Sequence, residues 1–297
     1  NHSYEYSAYG LGRYALNRFL RIYPTYWMAL LFSALVVYFL PRDAFLTNYK
    51  LSMPLAAGDW IPNILIVGLL DGPKKVLVPP AWTLDIELFF YAAMGLGLSR
   101  NRAVVVLWFL GSSIYTLYLF LNNASFADRY VSYAAASLPF SMGAMVYMFR
   151  KPLQEYVRLP LSLAVGLFIF ALFGARLEWL GDPLGLSFYI ILFSVILLLV
   201  SINGLPASAS GSHKSRIDTV LGNLAYPVFL CHWQVAALVL HFAYDSEKPS
   251  GGGLWLTSIV FIHLFALLIY YLVDANVDRL RSRIRGTAKL DLKILNS

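Results

Sequence analysis

Long apolar runs separated by short polar connectors fill the chain from end to end. Crossing a bilayer takes about 20 predominantly apolar residues. On that criterion spans are predicted over 22–40, 82–98, 103–121, 130–149, 160–175, 184–202, 220–241 and 254–273. A further run, "WIPNILIVGLL" at 60–70, is too short to cross. It predicts a re-entrant hairpin, provided that protein rather than lipid covers its backbone. "NGLPASASGSHKSR" (203–216) and "SEKPSGGG" (246–253) read as polar connectors. No repeat and no loop large enough for a soluble domain interrupts the pattern. The prediction is one all-α, polytopic transmembrane helix bundle over 1–297, with about eight full spans and a cytoplasmic basic tail at 274–297.

Composition agrees with the pattern. Hydrophobic residues make up 59% of the chain and charged residues 13%, against about 25% charged in soluble domains. The membrane is therefore the solvent. Cys231 is the only cysteine, which excludes an internal disulfide, and no Cys/His spacing suggests a metal site. No secretory signal peptide is visible.

The net charge of +7 raises nucleic acid as a partner, but its distribution decides otherwise. Alternate threading of the spans places 16 of the 23 Lys and Arg residues on one side, together with both termini. The positive-inside rule makes that side cytoplasmic and accounts for the charge without nucleic acid. The stretch "DANVDRLRSRIRG" after the last span reads as a basic amphipathic stop lying on anionic headgroups.

Three stretches hold groups that a bilayer penalises. In "PPAWTLDIELFFYAAMG" (79–95) two prolines open a helix, and Asp85 falls near its first turn, where the helix dipole favours an anion. Glu87 lies deeper and about 200° around the helix from Asp85, so the two carboxylates do not share a face. Thr83, Glu87, Phe90, Tyr91 and Met94 form one stripe instead. A mid-membrane charge costs about 2.5–3.5 kcal/mol on insertion scales, so Glu87 should face the bundle interior or a wet cavity. It reads either as a carboxylate pinned for architecture or as a catalytic group.

In "LGNLAYPVFLCHWQVAAL" (221–238), His232 lies mid-helix, where imidazole needs a partner. Counting about 1.5 Å per residue puts it near the depth of Glu87, so the two are expected to meet in one cavity. A histidine bonding a neighbouring helix is the alternative, and His263 is read that way. Cys231 points about 100° away from His232, which argues against a Cys–His nucleophile pair. In "RYALNRFLRIYPTYWMALLF" (13–32), Arg18 and Arg21 lie one turn apart before Tyr23, Tyr26 and Trp27. They read either as a cytoplasmic anchor with an aromatic belt or as a grip for phosphate.

Taken together and in order, "NRFLRIYPTYWMALL", "PPAWTLDIELFFY" and "LGNLAYPVFLCHWQV" resemble the acyltransferase 3 family of integral-membrane acyltransferases, with "LPFSMGAMVYM" (138–148) as a weaker match. The resemblance implies transfer of a small acyl group, often acetyl from acetyl-CoA, to a hydroxyl of an extracytoplasmic or lipid-linked glycan. It places Glu87 and His232 in catalysis, Arg18 and Arg21 on the acyl-CoA donor, and Trp82, Thr83 and Tyr91 at the substrate. No tightly bound cofactor or metal is implied. The setting would be the bilayer of a bacterial inner membrane.

The family's first span carries an arginine and a histidine that nothing here matches. Two N-terminal spans are therefore expected to be missing, in keeping with a start on "NHSYEYS" rather than methionine. Two further departures are Leu88, where many members carry a second carboxylate, and Ala225, where serine is common. The rival readings are a proton-coupled transporter or flippase, since intramembrane Glu and His suit proton relays, and a non-catalytic membrane scaffold. Paired broken helices, common in transporters, are absent from the pattern.

Overall fold

The computed structural model describes residues 7–40, 51–70, 75–156, 159–176, 185–203, 212–244 and 252–284. The connector segments 204–211 and 245–251 and the basic residues beyond 284 lie outside these.

Apolar sequence in lipid leaves the backbone only its own hydrogen bonds, and helices supply them all within one segment. The chain is accordingly an all-α membrane helix bundle. Among the described residues the only β pairing is an isolated bridge between Leu51 and Val76. Each predicted span falls on a helix. Among the described residues, five helical stretches are long and apolar enough to cross a membrane: Ala8–Phe39, Pro79–Leu98, Arg102–Leu121, Gly222–Ala243 and Gly252–Ile284. Others on predicted spans, such as the 16-residue helix over Tyr133–Met148, are shorter.

The chain divides into two compact units. The first, 1–92 with 212–297, contains α1 (Ala8–Phe39), α2 (Ala57–Leu65), most of α3 (Trp82–Ala93), α10 (Ser212–Ala243) and α11 (Gly252–Ile269). A π-helical turn over Tyr270–Asp274 follows α11, and helix continues through 275–284. Ile22, Tyr26, Ala29 and Leu30 of α1 pack here with Leu77, Leu84, Leu230, Val235, Ile262 and Ile269. The second unit, 93–211, holds α4 (Arg102–Leu121), α5 (Phe126–Tyr130), α6 (Tyr133–Met148), α7 (Arg150–Tyr156), α8 (Leu161–Arg176) and α9 (Leu186–Asn203).

The short apolar run is α2, nine residues that stop at Ile66, whose φ of 69° is left-handed. A helix end inside a bundle needs partners for its last carbonyls, and α1 supplies them. Tyr23 and Trp27 donate to the carbonyls of Leu65 (2.7 Å) and Ile64 (3.0 Å), and Tyr26 donates to that of Asn63. The aromatic residues that resemble an interfacial belt in the sequence thus terminate the re-entrant helix.

The chain that returns from α2 is bonded just as fully. Buried Asn63 accepts the Leu77 N–H at 2.9 Å and donates to the carbonyls of Asp59 and Lys75. Asp85, 3% exposed, accepts the Leu70 N–H at 3.1 Å. Gln234 and Ser33 both donate to the Leu77 carbonyl. Asp85 therefore holds loop backbone.

Candidate functional site

Two features weaken the helices of the first unit in the same place. Pro24 lies inside α1 and Pro227 inside α10. A proline has no N–H for the carbonyl four residues back, which here belongs to Leu20 and to Asn223. Both residues line one polar cavity of about 410 Å³.

Arg21 and Ile22 of α1, Glu87 of α3, and Gly222 and Tyr226 of α10 also line it. Asp274, Val277, Asp278 and Arg281, following α11, complete it. Glu87 is half-buried, and the hydroxyl of Tyr91, one turn on, donates to its Oε1. No hydrogen bond to its other oxygen occurs among the described residues. The Tyr91 ring stacks under the Arg18 guanidinium, 4.4 Å from carbon to centroid, and its carbonyl accepts from Tyr14 at 3.1 Å. Arg18 thus supports Glu87 through Tyr91. The Arg18 Nε is buried with no hydrogen-bond partner among the described residues.

The opposite wall is a network of its own. Arg281 pairs with Asp278 at 2.5 Å and reaches buried Asn17 at 3.2 Å. Asn223 donates to the second Asp278 oxygen at 3.2 Å, and Thr25 donates to Asp274. Tyr226 donates to the Ile22 carbonyl at 3.0 Å. Arg13 donates to the Ile284 carbonyl at 2.6 Å, tying the helical extension to the start of α1. Arg21 is exposed, and neither a hydrogen bond nor an ion pair engages it among the described residues. Arg281 is paired with Asp278, so among the described lining residues Arg21 is the cation without an ion pair.

The acyltransferase domain of the acyltransferase 3 family matches residues 3–275. The chain belongs to the acyltransferase 3 family. No curated protein and no solved structure matches it. Membership makes the chain a membrane acyltransferase in general terms and places the cavity between helices of that domain. The match ends between Asp274 and Val277, so the Asp278–Arg281 pair lies beyond the matched stretch.

Of the candidates from the sequence, Arg21 and Glu87 line the cavity, and Tyr91 and Arg18 stand behind Glu87 without lining it. His232, Trp82 and Thr83 are not among the residues lining the cavity. Thr83 donates to the Pro80 carbonyl at 2.9 Å in the first turn of its helix. The Nδ1 of His232 lies 2.7 Å from the Phe229 carbonyl of its own helix. A carbonyl only accepts, so Nδ1 is the donor in this contact. On α10 the residues that line the cavity with Glu87 are Gly222, Asn223 and Tyr226. His232 is six residues beyond Tyr226, about 9 Å by helix rise. His263 bonds its own helix in the same way, to Ile259 at 2.8 Å.

Sequence reasoning missed Asp274, Asp278, Arg281, Asn223 and Asn17. A signal for the first three was present: Asp274, Asp278 and Arg281 follow at i, i+4 and i+7, one face of a helix.

Proposed function

We propose that the chain moves an acyl group, acetyl from acetyl-CoA, to a hydroxyl of an extracytoplasmic or lipid-linked glycan in a bacterial inner membrane. The observation that carries this reading is the intramembrane carboxylate of Glu87, fixed by Tyr91 in a polar cavity with an unengaged Arg21. The positive-inside bias of the sequence supports a cytoplasmic position for the Arg21 side of the cavity, the side from which the donor would enter. Arg18 and Arg21 attract the donor's phosphates, because guanidinium forks match phosphate oxygens.

Acyl transfer requires an acceptor hydroxyl that loses its proton as it attacks the thioester carbonyl, while the thiolate leaves. Glu87, through the oxygen that Tyr91 does not hold, takes or positions that proton. His232 is the second proton-handling group on the acceptor's path, and Trp82 and Thr83 line that path at the start of α3. The thioester arm bridges the distance from the arginines to these groups.

The test is transfer of labelled acetyl from acetyl-CoA to glycan and lipid fractions of membranes containing the chain. Glu87→Gln should lower transfer by at least about a hundredfold with unchanged insertion and yield. Full activity in that variant removes Glu87 from the mechanism. Solute movement without donor, in place of acyl transfer, would favour the transporter reading.

A further inference from the structure

The second unit contains an apolar cavity of about 500 Å³ with no polar lining. Phe109 of α4, Met145 of α6, Phe149 between α6 and α7, Leu153 of α7, and Leu197 and Val200 of α9 are among its walls. The volume falls within the roughly 300–1,000 Å³ of small-molecule sites. Methionine in such a wall adapts to flexible apolar guests, because its thioether chain is unbranched and polarisable.

What surrounds one end identifies the guest. α7 is a seven-residue helix that begins Arg150–Lys151 and then turns Pro152 and Leu153 into the cavity. The Arg102 guanidinium lies 5.6 Å from the Phe149 ring centroid, at the same end. Arg102, Arg150 and Lys151 are exposed, and no ion pair engages them among the described residues. An uncharged guest would satisfy the walls and leave these cations without a counter-charge. A hydrocarbon tail joined to an anionic head satisfies both.

We propose that this cavity holds an acyl chain of an anionic membrane phospholipid, with its phosphate on Arg102 and Lys151. The site is distinct from the Glu87 cavity and does not depend on the acyl-transfer reading. Cations at a membrane surface attract acidic headgroups and lose that attraction as salt screens them. An amphipathic helix lying in the headgroup region is the usual device for presenting them.

The full chain, purified in mild detergent and stripped of lipid, is offered phosphatidylglycerol or phosphatidylcholine, and retained lipid is counted by native mass spectrometry. The expected result is roughly a ten- to thirtyfold preference for phosphatidylglycerol, the effect of two surface cations. The combined Arg102→Gln, Lys151→Gln variant should reduce that preference to about twofold or less, and Leu197→Trp, which fills the cavity, should lower retention of both lipids. Equal retention of the two lipids by the unaltered chain, or an unchanged preference in the double variant, overturns the proposal. Should either variant fail to fold, salt on the unaltered chain decides. Shortening the screening length from about 10 Å to about 3 Å must abolish the preference, and its persistence overturns the proposal.

Discussion

Tyr91 carries the sharpest single-residue consequence. Its hydroxyl holds one oxygen of Glu87 while its ring supports the Arg18 guanidinium. Tyr91→Phe removes the first contact and keeps the second. A hydrogen bond to a charged group contributes about 1.5–3 kcal/mol, so acyl transfer should slow by about ten- to a hundredfold. The donor's KM should stay near its original value, because Arg18 and Arg21 are untouched. A large rise in KM with unchanged kcat would instead place Tyr91 on the donor. His232 belongs to the same scale: its Nδ1 bonds the Phe229 carbonyl of its own helix.

At the scale of elements, the decisive piece is the helical extension after α11. A π-helical turn ends at Asp274, and the helix that follows brings Val277, Asp278 and Arg281 to the cavity. π turns shift the face that a helix presents and recur at functional sites. Val277→Pro removes an N–H and clashes with the preceding turn at a cost of about 3 kcal/mol. It should displace the Asp278–Arg281 wall and abolish transfer, while the chain still inserts to normal yield. Undiminished transfer in that variant would mean the wall is dispensable. α2 makes the complementary point. Nine residues cannot cross a bilayer, and they persist in the bundle because α1 side chains bond their terminal carbonyls.

For the whole molecule, the open question is which end meets which compartment. Cys231 is completely buried, so new cysteines report alone. With the proposed orientation, Ser282→Cys should react with a membrane-impermeant maleimide only in inside-out vesicles, and Ala56→Cys only in intact cells. Both positions are exposed. The opposite pattern would put the Arg21 cavity away from the compartment that holds acyl-CoA, and donor binding there would be lost as a reading.

The apolar runs determined on their own that this is a helical membrane protein, because hydrophobicity and length are local properties and lipid admits few backbone arrangements. They also located Glu87, Arg18 and Arg21 as polar groups in an apolar context, together with the order of motifs that the family match supports. Only the tertiary structure decided which polar groups share space. Asn17 and Asn223 lie far apart in sequence, and nothing local distinguishes them from ordinary helix-end residues. Likewise, helix rise measured from assumed span ends put His232 near the depth of Glu87, whereas Gly222, Asn223 and Tyr226 are the α10 residues that line the cavity with Glu87. Depth along one helix is set by sequence; register between helices is set by the side chains that pack between them.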